Sequence, residues 1–145
     1  MNAIPRIRAS GDCTAMCVRR LARRVTQIYD EALAPHGLTI GQLGILANLR
    51  RSQPIGIAAL AERLSTDAST VSRLLKPLVS AELIAVDANP DDRRAKALRL
   101  TEIGYARRRK AVPAWLAAQD GVTDRLGAKR LTALRDAVND AFAQL

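Results

Sequence analysis

The chain has 145 residues, 48% of them apolar, and a formal net charge of +9 at neutral pH. This length allows one domain that buries about two-thirds of its unfolded surface, and the apolar content excludes a disordered tail protein. The excess of positive charge favours a polyanionic partner.

The sequence carries no sign of a membrane segment or an export signal. No run approaches the ~20 consecutive apolar residues that a membrane span requires, and the N-terminus lacks the apolar core of a signal peptide. We therefore expect a cytoplasmic protein with no membrane partner. Its two cysteines are then expected to be reduced, so neither is needed to hold the fold.

Two helices are predicted in the N-terminal part of the chain. Asp12 or Thr14 can cap the first helix, which ends at a Pro-His-Gly turn at 35–37. Thr39 and Gln42 form a capping box for the second helix. The apolar positions at helical spacing in the first helix are Val18, Leu21, Val25, Ile28 and Leu33.

Cys13 and Cys17 lie four residues apart at the start of the first helix. The helix dipole and the neighbouring arginines would favour a reactive thiolate there, which suggests an oxidant sensor. The alternative is that both are small buried apolar residues. A disulfide between them inside an intact helix would be strained, because Cβ atoms one turn apart are ~5 to 6 Å apart and a disulfide requires ~3.8 Å.

Residues 58–80 predict a helix-turn-helix. A first helix spans Ala58 to Leu64, and Thr66 or Asp67 caps a second amphipathic helix. The polar face of the second helix suits base edges in the major groove and flanking phosphates, although an ordinary solvated face is the alternative. The residues proposed to contact DNA from this face are Ser69, Thr70, Ser72, Arg73 and Lys76.

A β-hairpin is predicted directly after the helix-turn-helix. A short apolar run at 83–86 is followed by turn chemistry at 89–92 and a returning strand at 95–100. Arg93 and Arg94 lie at the tip beside Asp91 and Asp92, so a carboxylate can hold one guanidinium while the tip stays cationic. An arginine on a narrow loop can enter an A·T-rich minor groove, whereas surface ion pairs usually contribute only ~0 to 1 kcal/mol. The order of elements favours an arginine that enters the minor groove over a surface ion pair. It predicts a winged helix-turn-helix, mainly α with a small β-hairpin wing.

Two further helices are predicted after the hairpin. Thr101 caps a long helix that contains Trp115 and that Pro113 is expected to kink. A final helix starts near Ala128, and its apolar stripe needs a cover, for which a second copy of the chain is the simplest candidate. The stripe consists of Leu131, Leu134, Val138, Phe142 and Leu145.

The hairpin segment DDRRAKALRLTEIGY resembles the wing signature of MarR-type transcriptional regulators, in which Asp-x-Arg is followed by Leu-Thr-x-x-Gly. LAERLSTDASTVSRLLKPL is similar to the helix-turn-helix of that family, and LAPHGLTIGQLGILANL to the linker and helix before it. The resemblance extends from about Cys17 to the C-terminal helix. The matching wing residues are Asp92, Arg94, Leu100, Thr101 and Gly104.

Two residues depart from the family pattern. Glu82 stands where such proteins usually have a glycine at the end of the recognition helix, and a non-glycine residue in the left-handed conformation costs of order 1 kcal/mol. We therefore expect the turn into the wing to differ. Pro77 lies inside the recognition helix and is expected to bend its C-terminal half, after the base-reading residues.

The resemblance implies a domain organisation and a regulatory function. It implies one MarR-like domain over 1–145, with a winged-helix DNA-binding region at 39–100 and a helical dimerisation region at 12–34 and 101–145. A homodimer of this kind fits a palindromic operator, and the function implied is that of a repressor released by a small molecule or an oxidant. Asp92 would support the wing, and the family's ligand cleft would be lined here by Tyr29, Leu46 and Trp115.

Other classes of function have less support. His36 is the only histidine and pairs with no Ser or Cys in a motif, so we expect no enzyme. One His and two Cys do not form a zinc site. The chain also has no Gly-rich phosphate loop, so we expect no cofactor. A basic RNA-binding or architectural protein remains the alternative, but aromatic residues make up only 3% and are scattered, so they form no stacking platform.

Overall fold

A computed structural model describes residues 13–89, 91–92 and 94–145. Within these residues the chain forms six α-helices and three short strands, with a 3-10 turn at Ala34–His36 between the first two helices. The helices are α1 (Thr14–Leu33), α2 (Ile40–Asn48), α3 (Ile57–Arg63), α4 (Ala68–Ser80), α5 (Glu102–Leu126) and α6 (Ala128–Gln144). The strands are β1 (Ile55–Gly56), β2 (Ile84–Ala88) and β3 (Lys96–Leu100).

Three of the six helix starts follow from local capping chemistry. Thr39 and Gln42 form the predicted capping box of α2, Asp67 accepts from the Thr70 amide at the start of α4, and Thr101 accepts from the Gly104 amide at the start of α5. The start of α1 is different: Cys13 is its N-cap and makes no side-chain cap bond. The prediction that Thr14 caps α1 is therefore wrong, because Thr14 is already helical, and Asp12 lies outside the described residues.

The strands form one antiparallel sheet in the order β1-β3-β2. The β2–β3 hairpin, called the wing below, pairs Ile84 with Leu100 at its base and Ala88 with Lys96 near its tip. This confirms the predicted hairpin. β1 was not predicted, because two residues are too few to show strand periodicity.

Two apolar clusters hold the helices together. The larger cluster joins α2, α3, α4, the sheet and the first half of α5. The smaller cluster joins α1 and the second half of α5 to the start of α6 through Tyr29, Ala118, Val122 and Leu131. The helices therefore pack in two units that share α5, and the predicted division into a DNA-binding and a dimerisation region stays a prediction.

The turn from α4 into the wing is a Schellman motif around Glu82. The Leu83 amide donates to the Leu78 carbonyl and the Glu82 amide to the Val79 carbonyl, both at 2.9 Å. Glu82 takes up a left-handed backbone with φ of 57°. The expectation that this turn would differ is wrong, because Glu82 adopts the conformation that a glycine would supply and bears its steric cost.

The start of α5 packs directly on this turn. Thr101 donates its hydroxyl to the Glu82 and Leu83 carbonyls at 2.6 and 3.0 Å, and its own amide donates to the Leu83 carbonyl at 3.1 Å. Gly104 lies so close that a Cβ atom there would overlap the Leu83 carbonyl oxygen. The Leu-Thr-x-x-Gly sequence is thus a joint that fixes the wing and α5 against the end of α4.

The two prolines inside helices do not end them. α4 continues past Pro77 to Ser80, and α5 continues past Pro113 to Leu126. The bends expected at both prolines stay predictions. In the described part of the chain, no helix is both long and apolar enough to cross a bilayer.

Candidate nucleic-acid interface

The polar face of α4 points to solvent because its opposite face is fixed in the core. Val71, Leu75 and Leu78 are buried, whereas four of the five residues proposed to contact DNA are exposed and Thr70 is half-buried. The exposed four are Ser69, Ser72, Arg73 and Lys76. The helix therefore presents these side chains together, as predicted.

Asp67 organises the first turn of this face. Its carboxylate accepts hydrogen bonds from the Thr70 amide, the Ser69 hydroxyl and the Thr70 hydroxyl, each at 2.8 Å. These three donors, the Thr70 amide foremost, hold the pKa of the Asp67 carboxyl well below its ordinary value. Arg73 follows one turn later and donates to the Thr70 hydroxyl oxygen at 3.4 Å.

The tip of the wing is held by hydrogen bonds that backbone amides donate. The Asn89 amide donates to the Ala95 carbonyl at 3.0 Å, and the Arg94 amide donates to the Asp92 carboxylate at 2.9 Å. Asp92 therefore supports the backbone of the tip. The expectation that a carboxylate would hold a guanidinium there is not met by Arg94, because the two ion pairs among the described residues, Arg51–Glu102 and Arg99–Asp87, lie elsewhere. The Arg94 side chain is exposed, and Arg93 lies outside the described residues.

A groove of about 270 Å³ lies between α4 and the wing. Ser72, Lys76 and Val79 line it from α4, and Val86 and Lys96 line it from the wing. Lys96 was not among the residues predicted to contact DNA. Strand alternation could have indicated it, because Lys96 lies opposite Ala88 and two residues before Leu98, on the sheet face that Leu98 and Leu100 share.

The residues predicted to line an effector pocket lie in three different places. Trp115 lines a cavity of about 520 Å³ between α2 and α5. Tyr29 instead borders a groove of about 370 Å³ between α1, α5 and α6, where it bonds to Gln119 and burial raises the pKa of its hydroxyl. Leu46 is fully buried in the winged-helix core and lines none of the described cavities, so it is a packing residue.

Cationic side chains gather around the ring of Tyr105, which lines the α2–α5 cavity together with Arg108 and Arg109. Arg51, Arg108 and Arg109 lie with their guanidinium carbons 4.3, 5.3 and 5.9 Å from the centre of the Tyr105 ring. Arg108 also donates to the Leu46 carbonyl at 2.9 Å, which ties α5 to the end of α2. The cavity therefore combines an apolar wall that includes Trp115 with positive charge.

The two cysteines are free and neither is buried. Cys17 is exposed and Cys13 is half-buried, so the interpretation as two buried apolar residues is wrong for the single chain. Cys13 also lies outside the helix as its N-cap, with an extended backbone. The strain expected for a disulfide between the two stays a prediction. Among the described residues, no three His, Cys, Asp or Glu side chains cluster as metal ligands would.

Comparison with known proteins agrees with this architecture. A family model described as the MarR family matches residues 38–96. An HTH-type transcriptional regulator of Bacillus cereus is 30% identical over 105 residues, which cover 72% of this chain and 69% of that protein. HTH-type regulators of Staphylococcus aureus are 29% identical over 83 residues, and the match spans only 57% of their length.

Solved structures with the same fold cover nearly the whole chain. The transcriptional regulator MosR of M. tuberculosis, in complex with DNA, is 35% identical with a TM-score of 0.78, and the match covers 92% of this chain and 96% of that one. A mutant MarR of E. coli complexed with operator DNA is 23% identical with a TM-score of 0.77, covering 88% and 91% of the two chains, and shows the shared fold. This chain belongs to the MarR family of transcriptional regulators.

Proposed function

We propose that this protein is a dimeric, sequence-specific repressor that binds a palindromic DNA operator and is released by an effector. The observation that carries the proposal is the groove between α4 and the wing, which both elements line with exposed side chains. Two reading elements so close together can enter adjacent grooves of one duplex.

Each element has a distinct role in this binding. α4 enters the major groove, where Ser69, Thr70, Ser72 and Arg73 meet base edges. The wing enters the neighbouring minor groove with Arg94, and Arg93 belongs to the same tip. One phosphate strand must then cross between the two elements, and Lys76 and Lys96 line the groove that it would follow.

The proposed dimer forms through the first and last helices. Val18, Leu21 and Val138 line the groove between α1, α5 and α6, and they are 60%, 41% and 55% exposed in the single chain. Phe142 further along α6 is 68% exposed. A second copy that covers this face would set two α4 helices about one helical turn apart on DNA, roughly 34 to 36 Å, as a palindrome requires.

The α2–α5 cavity is the proposed effector site. Its apolar wall with Trp115 and its arginine side fit a small organic anion with an aromatic or aliphatic body. Oxidation of the exposed Cys17 or of Cys13 is the second candidate signal, since Cys17 lies in the first turn of α1, the proposed dimer helix, and Cys13 is the N-cap of that helix.

Selection from a random pool of duplexes, followed by band-shift titration of the enriched sequence, tests the proposal. We expect a palindromic site bound at least ~1,000-fold more tightly than random duplex. Sedimentation at micromolar concentration should show a dimer. Equal or stronger binding of single-stranded RNA at the same salt would favour the RNA-binding alternative instead.

Effector release is tested on the same complex. Mild peroxide on the wild type and on a Cys13→Ser, Cys17→Ser double variant separates the two candidate signals. Release confined to the wild type and reversed by reductant supports the thiol signal, and unchanged binding after confirmed oxidation of both thiols contradicts it.

A further inference from the structure

We infer that Asp67, Ser69 and Thr70 form an acceptor cluster that reads an exocyclic amino group of DNA, cytosine N4 or adenine N6, with Asp67 as the residue that sets this specificity. The inference rests on the proposed function, in which α4 enters the major groove. The sequence alone marks the two hydroxyls as general hydrogen-bonding groups, with no preference between donor and acceptor.

The direction of the hydrogen bonds follows from the chemistry of the carboxylate. An ionised carboxylate can only accept, and a hydroxyl has one proton to donate. Because Ser69 and Thr70 each lie 2.8 Å from an Asp67 oxygen, both hydroxyl protons are committed to Asp67. Ser69 Oγ is then left with lone pairs alone toward solvent, and Thr70 Oγ1 with lone pairs that Arg73 partly uses.

Exposure places these lone pairs where DNA would meet them. Asp67 and Ser69 are both exposed on the first turn of α4, and the carboxylate itself also presents acceptor oxygens. The cluster has no side-chain proton to offer a phosphate oxygen, and its negative charge repels one. It is therefore unsuited to a backbone contact, whereas Arg73 and Lys76 further along the helix are suited to acceptors.

Base edges in the major groove differ in whether they present hydrogen-bond donors or only acceptors. Guanine offers N7 and O6 and thymine offers O4, which are all acceptors. Cytosine offers the N4 amino group and adenine the N6 amino group. A cluster of acceptors therefore selects cytosine or adenine, and it disfavours guanine and thymine through the repulsion of unpaired lone pairs.

The test removes single amino groups from the operator that the random-pool selection yields. Adenine is replaced by unsubstituted purine, and cytosine by 2-pyrimidinone, at each position in turn. We expect one position per half-site at which loss of the amino group weakens wild-type binding about tenfold. Ser69→Ala should reduce the effect at that position, and Lys76→Ala, the matched control, should lower affinity at all positions and keep the effect.

Asp67→Asn tests the role of the carboxylate. The asparagine oxygen can still cap α4, but its amino group donates, so a neighbouring hydroxyl must accept and turn its own proton outward. We expect the preferred base at that position to shift toward guanine or thymine in a repeated selection.

Two results would overturn the inference. One is an operator on which no removal of an amino group weakens wild-type binding, and the other is a Ser69→Ala, Asp67→Asn double variant that keeps the full wild-type base preference. A chain that selects no duplex at all would contradict the proposed function itself. Circular dichroism confirms that each variant is folded before binding is measured.

Discussion

Replacement of Gly104 by alanine should destabilise the protein, because the added methyl group has no space at the joint between the wing and α5. It would overlap the Leu83 carbonyl oxygen and lie 2.9 Å from both the Leu83 carbonyl carbon and Leu100 Cδ1. Two of these atoms belong to the backbone, so relief requires α5 to move away from the Schellman turn. That movement would also stretch the Thr101 bonds to Leu83.

Overpacking of this kind costs typically 1 to 3 kcal/mol, each strained hydrogen bond about 1 more, and the better helix propensity of alanine returns about 1. We expect Gly104→Ala to lose roughly 3 kcal/mol, which lowers the melting temperature by about 6 to 12 °C in a protein of this size. Urea unfolding followed by circular dichroism at equal protein concentration measures the loss.

Gly121→Ala is the matched control, because it lies in the same helix and a methyl group there meets nothing within 4 Å. It should leave stability unchanged or raise it by up to ~1 kcal/mol. If Gly104→Ala were as stable as the wild type, the contact between Gly104 and Leu83 could not be what holds the wing in place.

Four further outcomes are expected. Arg94→Ala should weaken operator binding without a change in melting temperature, and equal affinity at near-physiological salt would refute a minor-groove role. Lys76→Ala and Lys96→Ala should each reduce the salt slope of binding by about one, and an unchanged slope for Lys96→Ala would place the phosphate strand elsewhere. Glu82→Gly should stabilise the fold by about 0.5 to 1 kcal/mol by relieving its left-handed backbone, and a loss of stability in urea unfolding would contradict that. Phe142→Asp should give a folded monomer in sedimentation, since this ring is exposed in the single chain, and a dimer of wild-type stability would exclude α6 from the interface.

The features that the sequence predicted well are those with local causes. The Thr39–Gln42 capping box, the Asp67 cap and the wing turn depend on residues within a few positions of each other, and all three are present. The polar face of α4 follows from helical spacing in the same way. Glu82 shows the limit of this reasoning, because its Schellman bonds are local but a further bond to its carbonyl comes from Thr101, 19 residues away.

The features that the sequence did not predict depend on distant packing. Leu46 has the character of a pocket residue, yet it is completely buried in the larger apolar cluster. Lys96 becomes a groove residue only because the wing folds back beside α4. The partner of the Asp92 carboxylate is a backbone amide, which composition at the wing tip cannot distinguish from a guanidinium.

The length of α5 means that a small tilt of this helix would move the wing by a large distance. Its 25 residues extend about 37 Å, and its first turn is locked to the wing while its second half belongs to the cluster with α1 and α6. If the joint at Gly104 moves with the helix, a tilt of ~5° about the far end displaces the wing by about 3 Å, close to the spacing of one base pair. Pro113 lies between the two anchored ends, beside Trp115 and the α2–α5 cavity. Because proline lacks the amide that would donate a helical hydrogen bond, α5 bends most easily there. Filling that cavity would therefore act on α5 between its two anchored ends.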